Sequence, residues 1–355
     1  MHMKLILSIT GALILALTVG TSTGRYLVRG AWAEGHILAG RRSIAALVAD
    51  SATPPSVRAK LELVQQARAF AVDSVHLRAG KSFTTYTQLH SDTLVLVLSA
   101  AYPDRLEELT WWFPIVGRVP YKGFFDFPLA EKTAKDMAAD GYDVYLRPSA
   151  AFSTLGWFND PLLSTTLNAD SLDLANTVFH ELTHATYWAP GQVVFNESFA
   201  NFVGARAAAW FFRSRGDSAS AAQTDARWAD EKLLALFWQR LYTAMDSAFR
   251  AHPEDRDSRL AARAEIYGWA RAELVDSLGP RITTINRTWL ARVPLDNAAL
   301  IARRFYLTDL DLFDQAWARE GEDVPRTVQH IIAAAKSNKA DPYAGLRAWV
   351  DSTRR

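Results

Sequence analysis

Residues 171–203 read SLDLANTVFHELTHATYWAPGQVVFNESFANFV, and this stretch decides the prediction of the fold. Apolar residues recur at helical spacing on both sides of Pro190-Gly191, which predicts one helix over 171–188 and another over 195–215. A proline–glycine break between helices lets the chain turn back on itself. We therefore expect two antiparallel helices that pack against each other.

The first of these helices contains His180-Glu181-x-x-His184. Residues four apart lie on one face of a helix, so both imidazoles can bind one metal ion from the same side. Glu181 lies slightly further round and would reach a water molecule that the metal activates. Because the chain has no cysteine, a zinc ion would depend on histidine and carboxylate ligands. The alternative is a pair of core histidines, which would be costly to bury without partners.

A third ligand is expected from the second helix, where Glu197 lies in the first turn. If the two helices are antiparallel, its carboxylate can meet the histidine face. The alternative is an ordinary glutamate that the helix dipole favours near the N-terminus. With His180 and His184, Glu197 completes a predicted site for one Zn²⁺ ion, in which Glu181 acts as general base during hydrolysis of an amide bond.

Other residues are candidates for contacts around this site. A side chain that stabilises the oxyanion is expected, and a second-shell or substrate-binding role is open to several polar residues. The tyrosine candidates are Tyr187, Tyr267 and Tyr306; Asn196 could orient a ligand; and Ser153, Thr154 and Asp160 could contact substrate from the loop 151–161. That loop, like 111–114 and 121–126, is either a wall of the site or an ordinary packed connection.

The composition of the chain limits the kinds of partner that it can bind. Its 355 residues are 49% apolar and 22% charged, which is ordinary for a globular protein. Lysine and arginine number 39 against 38 acidic residues, with no basic stripe. We therefore expect no nucleic-acid partner.

The amino terminus predicts export. Lys4 precedes an uncharged, mostly apolar run from Leu5 to Gly20, and small residues follow up to Gly24. Residues 1–24 are therefore expected to be a signal peptide or a membrane anchor that leaves the protein periplasmic or facing the periplasm. A buried helix of the folded domain is the alternative.

The rest of the chain predicts an α+β, mostly helical fold with a small sheet in the N-terminal half. Residues 25–355 would form one domain, with a possible subdomain break near 156–170. Strands are expected over 81–89, 92–101 and 142–147, the first two as a hairpin, and 111–123 as an ordered loop. Helices are expected over 25–50, 57–72, 128–139, 171–188, 195–215, 219–250, 257–277, 296–304 and 326–336.

Several motifs in the same order resemble the bacterial predicted zinc aminopeptidases. They are the segments 112–126 and 152–165, Phe-His-Glu-Leu-Thr-His around His180, Phe-Asn-Glu-Ser-Phe-Ala around Glu197, and Asp-Asn-Ala at 296–298. The resemblance covers about Arg25 to Lys336. It implies a zincin-like metallopeptidase whose third ligand is a glutamate, and it adds Asn297 to the candidate residues.

The expected function is therefore zinc-dependent hydrolysis of peptides, with the aminopeptidase preference implied by the resemblance alone. An aminopeptidase needs a carboxylate for the free α-amino group, and Asp126, Asp143 and Asp160 are candidates. Two alternatives remain: a zinc endopeptidase of the cell envelope, and a non-catalytic envelope protein that binds metal. A purely structural metal site would not need Glu181, which favours catalysis.

Overall fold

The computed structural model describes residues 22–89, 91–113, 117–149, 161–304 and 308–352. The apolar run after Lys4 lies outside these ranges, as do the candidate site residues Ser153, Thr154, Asp160 and Tyr306. The predicted break near 156–170 also falls partly outside them. Within the described ranges, no helix combines the length and the apolar character needed to cross a membrane.

Helices and short strands alternate in the N-terminal half. They are α1 (Ser22–Ala39), β1 (Arg42–Ser43), α2 (Ile44–Ala49), α3 (Pro55–Asp73), β2 (Thr85–Thr87), β3 (Val95–Ala101), β4 (Trp111–Phe113), β5 (Gly117–Val119), β6 (Lys122–Phe124), α4 (Phe127–Ala139), β7 (Asp143–Ser149), β8 (Leu162–Leu163) and α5 (Ser164–Leu167).

The prediction of one helix over 25–50 is wrong. Gly40 follows the end of α1, and Ser43 caps a new helix by accepting a hydrogen bond from the Ala46 amide.

Three small sheets form from these strands. Strand β2 lies between β1, to which it is antiparallel, and β8, to which it is parallel; β3 lies between β6 and β7, antiparallel to both; and β4 pairs with β5. The predicted hairpin of 81–89 with 92–101 is wrong because β2 and β3 belong to different sheets. Strand β3 instead pairs along its whole length with β7, from Val95 opposite Ser149 to Ala101 opposite Asp143. The 111–123 segment, predicted as a loop, contains β4 and β5.

The C-terminal half is helical within the described residues. Its helices are α6 (Ser171–Thr186), α7 (Val193–Ser214), α8 (Ser218–Ala251), α9 (Arg256–Ala272) with a π-helical continuation (Glu273–Leu278), α10 (Arg287–Arg292), α11 (Asn297–Arg304), α12 (Leu310–Arg319), α13 (Val324–Ser337) and α14 (Pro342–Asp351). The α+β class with a helical majority is confirmed. Helices α10, α12 and α14 were not predicted.

The largest apolar core surrounds α6 and α7. Phe179 of α6 and Phe199 of α7 are fully buried, together with Leu61 of α3 and Phe313 of α12. A second apolar cluster lies around α8 and α9, where Phe237 and Leu274 are buried. The main core fixes one face of α6, so the opposite face of this helix is left for other contacts.

Candidate metal centre

The start and the packing of α6 determine where its histidines point. The Asp170 carboxylate accepts hydrogen bonds from the Leu172 and Asp173 amides, at 3.0 and 2.9 Å, and so caps the helix. Phe179 and Leu182 are fully buried on the core side. His180 and His184 consequently lie together on the other face, with their Nε2 atoms 3.1 Å apart.

The turn between α6 and α7 is held by Asn196, a residue expected to orient a ligand. Its side chain accepts a hydrogen bond from the Ala189 amide and donates one to the Ala189 carbonyl, both at 2.8 Å. Asn196 is buried and these bonds occupy both ends of its amide group. It therefore fixes the position of the neighbouring Glu197 through the backbone.

Helix α7 runs antiparallel to α6 and approaches it closely at Gly204. A Cβ atom at this position would lie 2.6 Å from Asn176 Oδ1 and 3.2 Å from the Asn176 carbonyl oxygen. Only a residue without a side chain fits this spacing without a shift of its neighbours. The close approach brings the first turn of α7 to the histidine face of α6.

Three side chains meet as a result. The Glu197 carboxylate oxygens lie 3.5 Å from His180 Nε2 and 3.6 Å from His184 Nε2. Four tetrahedral ligands at about 2.0–2.1 Å from a zinc ion are about 3.3 Å from one another. The three observed separations bracket that value, so the donor set fits one zinc ion. Among the described residues, no other group of three or more histidine, aspartate or glutamate side chains could hold a metal.

The charges of these side chains depend on one another. Burial would raise the pKa of Glu197, but hydrogen bonds and charge from His180 and His184 lower it to about 2. Burial would lower the pKa of His180, but Glu197, Glu181 and a hydrogen bond with Asn201 raise it. The Nδ1 atom of His184 is buried and has no hydrogen-bond partner among the described residues. The site thus holds an ionised carboxylate beside two imidazoles.

Glu181 and Tyr121 lie near this group, since the charge of Glu181 acts on His180 and that of Glu197 acts on Tyr121. Glu181 is exposed, as a base that meets solvent and substrate must be. Tyr121, in the connection from β5 to β6, is 49% exposed overall. Burial of its hydroxyl nevertheless raises the pKa of Tyr121, and the nearby charge of Glu197 raises it further against an opposing effect of Arg147. The phenol therefore stays protonated and can donate a hydrogen bond close to Glu197.

A third carboxylate, Glu231 of α8, also lies near His180. Burial raises the pKa of Glu231 to about 7; repulsion from Asp173 adds to this effect, and the charges of His180 and Arg227 oppose it. Its neighbours therefore do not supply enough positive charge to offset the loss of hydration.

Two other predicted candidates, Tyr267 and Asn297, lie in a separate cluster. The Tyr267 hydroxyl donates to Asn297 Oδ1 at 2.7 Å, and the Asn297 amide group donates to the carbonyls of Tyr102, Pro103 and Arg105. Asp143 accepts from the Asn297 backbone amide and forms an ion pair with Arg263 at 2.6 Å. This cluster joins β7, α9 and α11.

Tyr187 and Asp126 have other contacts. Tyr187 packs on the main apolar core, with the Lys336 ammonium group over its ring. Asp126 caps α4 through the Leu129 amide and pairs with Arg29 at 2.6 Å.

Tyr121, Asn201 and Glu231 were not predicted as site residues. Asn201 lies four residues after Glu197 and so shares its helix face, a spacing that could have identified it. Tyr121 lies in the 121–126 segment, for which a wall of the site was one of two interpretations. Glu231 lies within a long helix, and no local pattern distinguishes it from a surface glutamate.

Comparison with known proteins adds one finding. No curated protein and no solved structure matches the chain significantly. The model of a family described as "Putative aminopeptidase" matches residues 25–344, which include His180, His184 and Glu197 as well as the cluster of Tyr267 and Asn297. The name of this family indicates peptidase activity in general. Because the match covers most of its length, the chain belongs to this family of aminopeptidase-like proteins.

Proposed function

We propose that this protein is a zinc-dependent aminopeptidase with a zincin-like site, in which His180, His184 and Glu197 hold one Zn²⁺ ion. The supporting observation is the convergence of two imidazole nitrogens and one carboxylate, 3.1 to 3.6 Å apart, with Glu181 next to His180 in the sequence. A bound zinc ion at this point supplies Lewis-acid activation of a water molecule and positive charge near the substrate carbonyl.

Glu181 acts as the general base in this proposal. It accepts a proton from the attacking water and then delivers that proton to the leaving amine of the cleaved peptide bond. Its exposed position suits both transfers, because the carboxylate must reach the water first and the departing nitrogen afterwards. Glu181 is the residue after His180, so the helix that holds the metal ligand also fixes the base.

Tyr121 is the proposed donor to the oxyanion. Its phenol is protonated, lies near Glu197 and is accessible from outside, as a group that contacts substrate must be. A hydrogen bond from this phenol would stabilise the negative charge that develops on the carbonyl oxygen. Tyr187 and Tyr267, the two predicted donors that the structure describes, have their contacts elsewhere.

The proposal is tested by zinc analysis and peptide hydrolysis of wild type and Glu181→Gln. Wild type should contain about one zinc per chain and cleave peptides with a free amino terminus. Glu181→Gln should keep its zinc and lose activity by about 10²- to 10⁴-fold. Glu131→Gln on α4, an exposed position, is the matched control and should behave as wild type.

Three results would contradict this function. Equal rates for wild type and Glu181→Gln would remove the general base. Faster cleavage of amino-blocked than of free peptides would favour an endopeptidase. Bound zinc with no hydrolysis of any peptide would favour a metal-binding protein without turnover.

We also propose that the protein is exported, on the basis of Lys4 and the apolar run that follows it. Helix α1 begins at Ser22, so the small residues up to Gly24 already belong to its first turn. Cell fractionation and amino-terminal sequencing of the mature protein test this proposal. Recovery of the intact chain in the cytoplasm would contradict it.

A further inference from the structure

The position of Glu231 follows from the directions in which α6, α7 and α8 run relative to one another. Helix α8 runs antiparallel to α7, since Arg206 pairs with Asp225 at 3.2 Å and the rings of Phe202 and Trp228 are 6.0 Å apart. Helix α7 is itself antiparallel to α6, so α6 and α8 run in the same direction. Arg227 of α8 pairs at 2.5 Å with Asp170, the residue that caps the start of α6.

One turn further along α8, Glu231 is level with the middle of α6. Residues four apart stand one above the other on a helix, so Glu231 extends the line of Arg227 from the start of α6 towards His180. The charges that act on its carboxylate agree with this position, because they belong to Asp173, His180 and Arg227. Glu231 therefore stands beside the proposed zinc ligands.

The carboxylate of Glu231 has no basic partner in the described part of the chain. Arg227 forms its ion pairs with Asp170 and Asp173, and the neighbouring Lys232 pairs with Asp311 and Asp314. Of the segments that the structure does not describe, 114–116, 150–160 and 305–307 contain no lysine, arginine or histidine, and the basic residues outside the described ranges are His2, Lys4, His90, Arg354 and Arg355. Glu231 is partly buried, and a carboxylate that loses hydration without gaining a cation is destabilised, so a cationic ligand is the expected partner.

We propose that Glu231 binds the protonated α-amino group of a peptide substrate, an inference that rests on the proposed zinc peptidase function. The α-amino nitrogen is only about 2.5 Å from the first carbonyl carbon of a peptide. A carboxylate that binds this amine must therefore lie beside the metal ligands, as Glu231 does. Asp126 and Asp143, which the sequence suggested for this role, are paired with Arg29 and Arg263.

Two hydroxamates that differ in one group test this inference without turnover. Leucine hydroxamate has the α-amino group, and 4-methylpentanoyl hydroxamate lacks it, while both have the same metal-binding end. Binding to the zinc-loaded protein is measured by calorimetry for wild type, Glu231→Gln and the control Asp246→Asn, which neutralises an acid elsewhere on α8. Wild type and control should prefer the amine by roughly tenfold to a hundredfold, and Glu231→Gln should lose that preference.

Peptide hydrolysis gives the second readout. Glu231→Gln should have a lower kcat/KM than wild type on peptides that begin with leucine and have a free amino terminus. On the same peptides with an acetylated amino terminus, which wild type should cleave only weakly, the two proteins should have equal kcat/KM. Glu231→Asp keeps the charge on a shorter side chain and should retain part of the preference for the hydroxamate with the α-amino group. This variant serves as the test if Glu231→Gln does not fold.

The outcomes separate this inference from the function on which it rests. If wild type binds neither hydroxamate and cleaves no peptide, the zinc peptidase proposal has failed. If wild type prefers the amine and Glu231→Gln keeps that preference, Glu231 is not the amine site. An equal loss of both hydroxamates together with zinc would make Glu231 a support for His180 and would also overturn the inference.

Discussion

The polar cluster around Asn297 and the one around His180 differ in how their groups are paired. In the cluster around Asn297, each side-chain atom of that amide group has a partner, and the Asp143 carboxylate forms an ion pair with Arg263, whose buried Nε atom alone in this group has no hydrogen-bond partner among the described residues. Around His180 the imidazole and carboxylate groups are left with fewer partners. The buried His184 Nδ1 atom lacks a hydrogen-bond partner and the Glu231 carboxylate forms no ion pair among the described residues, while two imidazole nitrogens face each other at 3.1 Å.

The difference indicates what each cluster does. A buried network whose amide, hydroxyl and carboxylate groups are bonded to one another stabilises one arrangement of the chain, and here it links β7 to α9 and α11. A cluster in which imidazole nitrogens face each other and a carboxylate lacks an ion pair is held together by the surrounding core, and such sites are commonly functional. Substitutions in the first cluster should therefore change stability, and those in the second should change binding and rate.

The largest effect is expected from Glu197→Gln. The amide has the shape of the carboxylate but not its charge, so zinc affinity should fall and peptide hydrolysis should drop by about a thousandfold or more. Zinc content and kcat/KM are measured beside the circular dichroism spectrum, which should stay that of the folded protein. Wild-type zinc content in this variant would show that the carboxylate is not a ligand.

A pair of tyrosine substitutions tests the comparison directly. Tyr121→Phe should lower kcat/KM by about 10²- to 10³-fold with zinc retained, because it removes the proposed donor to the oxyanion. Tyr267→Phe should leave the rate unchanged and destabilise the fold by about 1–2 kcal/mol, because it removes a buried hydrogen bond to Asn297. Kinetics and urea denaturation are run on both variants, and exchanged outcomes would reverse the roles assigned to the clusters.

Asn297→Ala should be the most destabilising change in the paired cluster. It leaves the Tyr267 hydroxyl and the carbonyls at 102, 103 and 105 without their partner, which is expected to cost about 2–4 kcal/mol of unfolding free energy. Urea denaturation measures the loss, and zinc content should not change. A loss of zinc without a loss of stability would contradict the separation of the two clusters.

Asp296→Asn is expected to change how stability depends on pH, without an effect on the metal ligands. Burial and the charge of Asp143 raise the pKa of Asp296 to about 6, against opposing hydrogen bonds from Ala298 and Ala299 and the charge of Arg263. The folded protein therefore holds a proton that the unfolded chain releases at about pH 4. Stability should fall as the pH rises from about 4 to 6, and Asp296→Asn should remove about 1–3 kcal/mol of that fall.

Thermal denaturation of the metal-free protein across this range measures the pH effect. The asparagine side chain can still accept the hydrogen bond from the Ala299 amide, so the cap of α11 is retained. An identical slope in both proteins would show that Asp296 does not titrate in this range.

The helices could be predicted from the sequence where local signals were strong. Asp170 caps α6, Asp126 caps α4, and apolar residues repeat along α7, so these helices were found within a few residues of their ends. Strand pairing was not predictable in the same way. Whether β2 pairs with its neighbour in sequence or with β8 depends on contacts across the fold that local spacing does not record.

The residues of the candidate site also differ in whether local sequence signals could identify them. His180, Glu181, His184 and Glu197 follow from spacing on two adjacent helices. Tyr121 and Glu231 reach the site from distant parts of the chain, and nothing in their own segments specifies the approach. Asn297 was suggested by a motif, and its buried contacts explain why a motif can mark a structural residue as readily as a functional one.

The double hydrogen bond from Asn196 to Ala189 has a consequence for how the protein folds. Since it closes the turn that joins α6 to α7, all three proposed metal ligands come from one helical hairpin between residues 180 and 197. Contacts so close in sequence form with little loss of chain entropy, unlike the pairing of β2 with β8. The ligand set can therefore assemble early, and a metal ion captured at that stage would favour the hairpin before the sheets are complete.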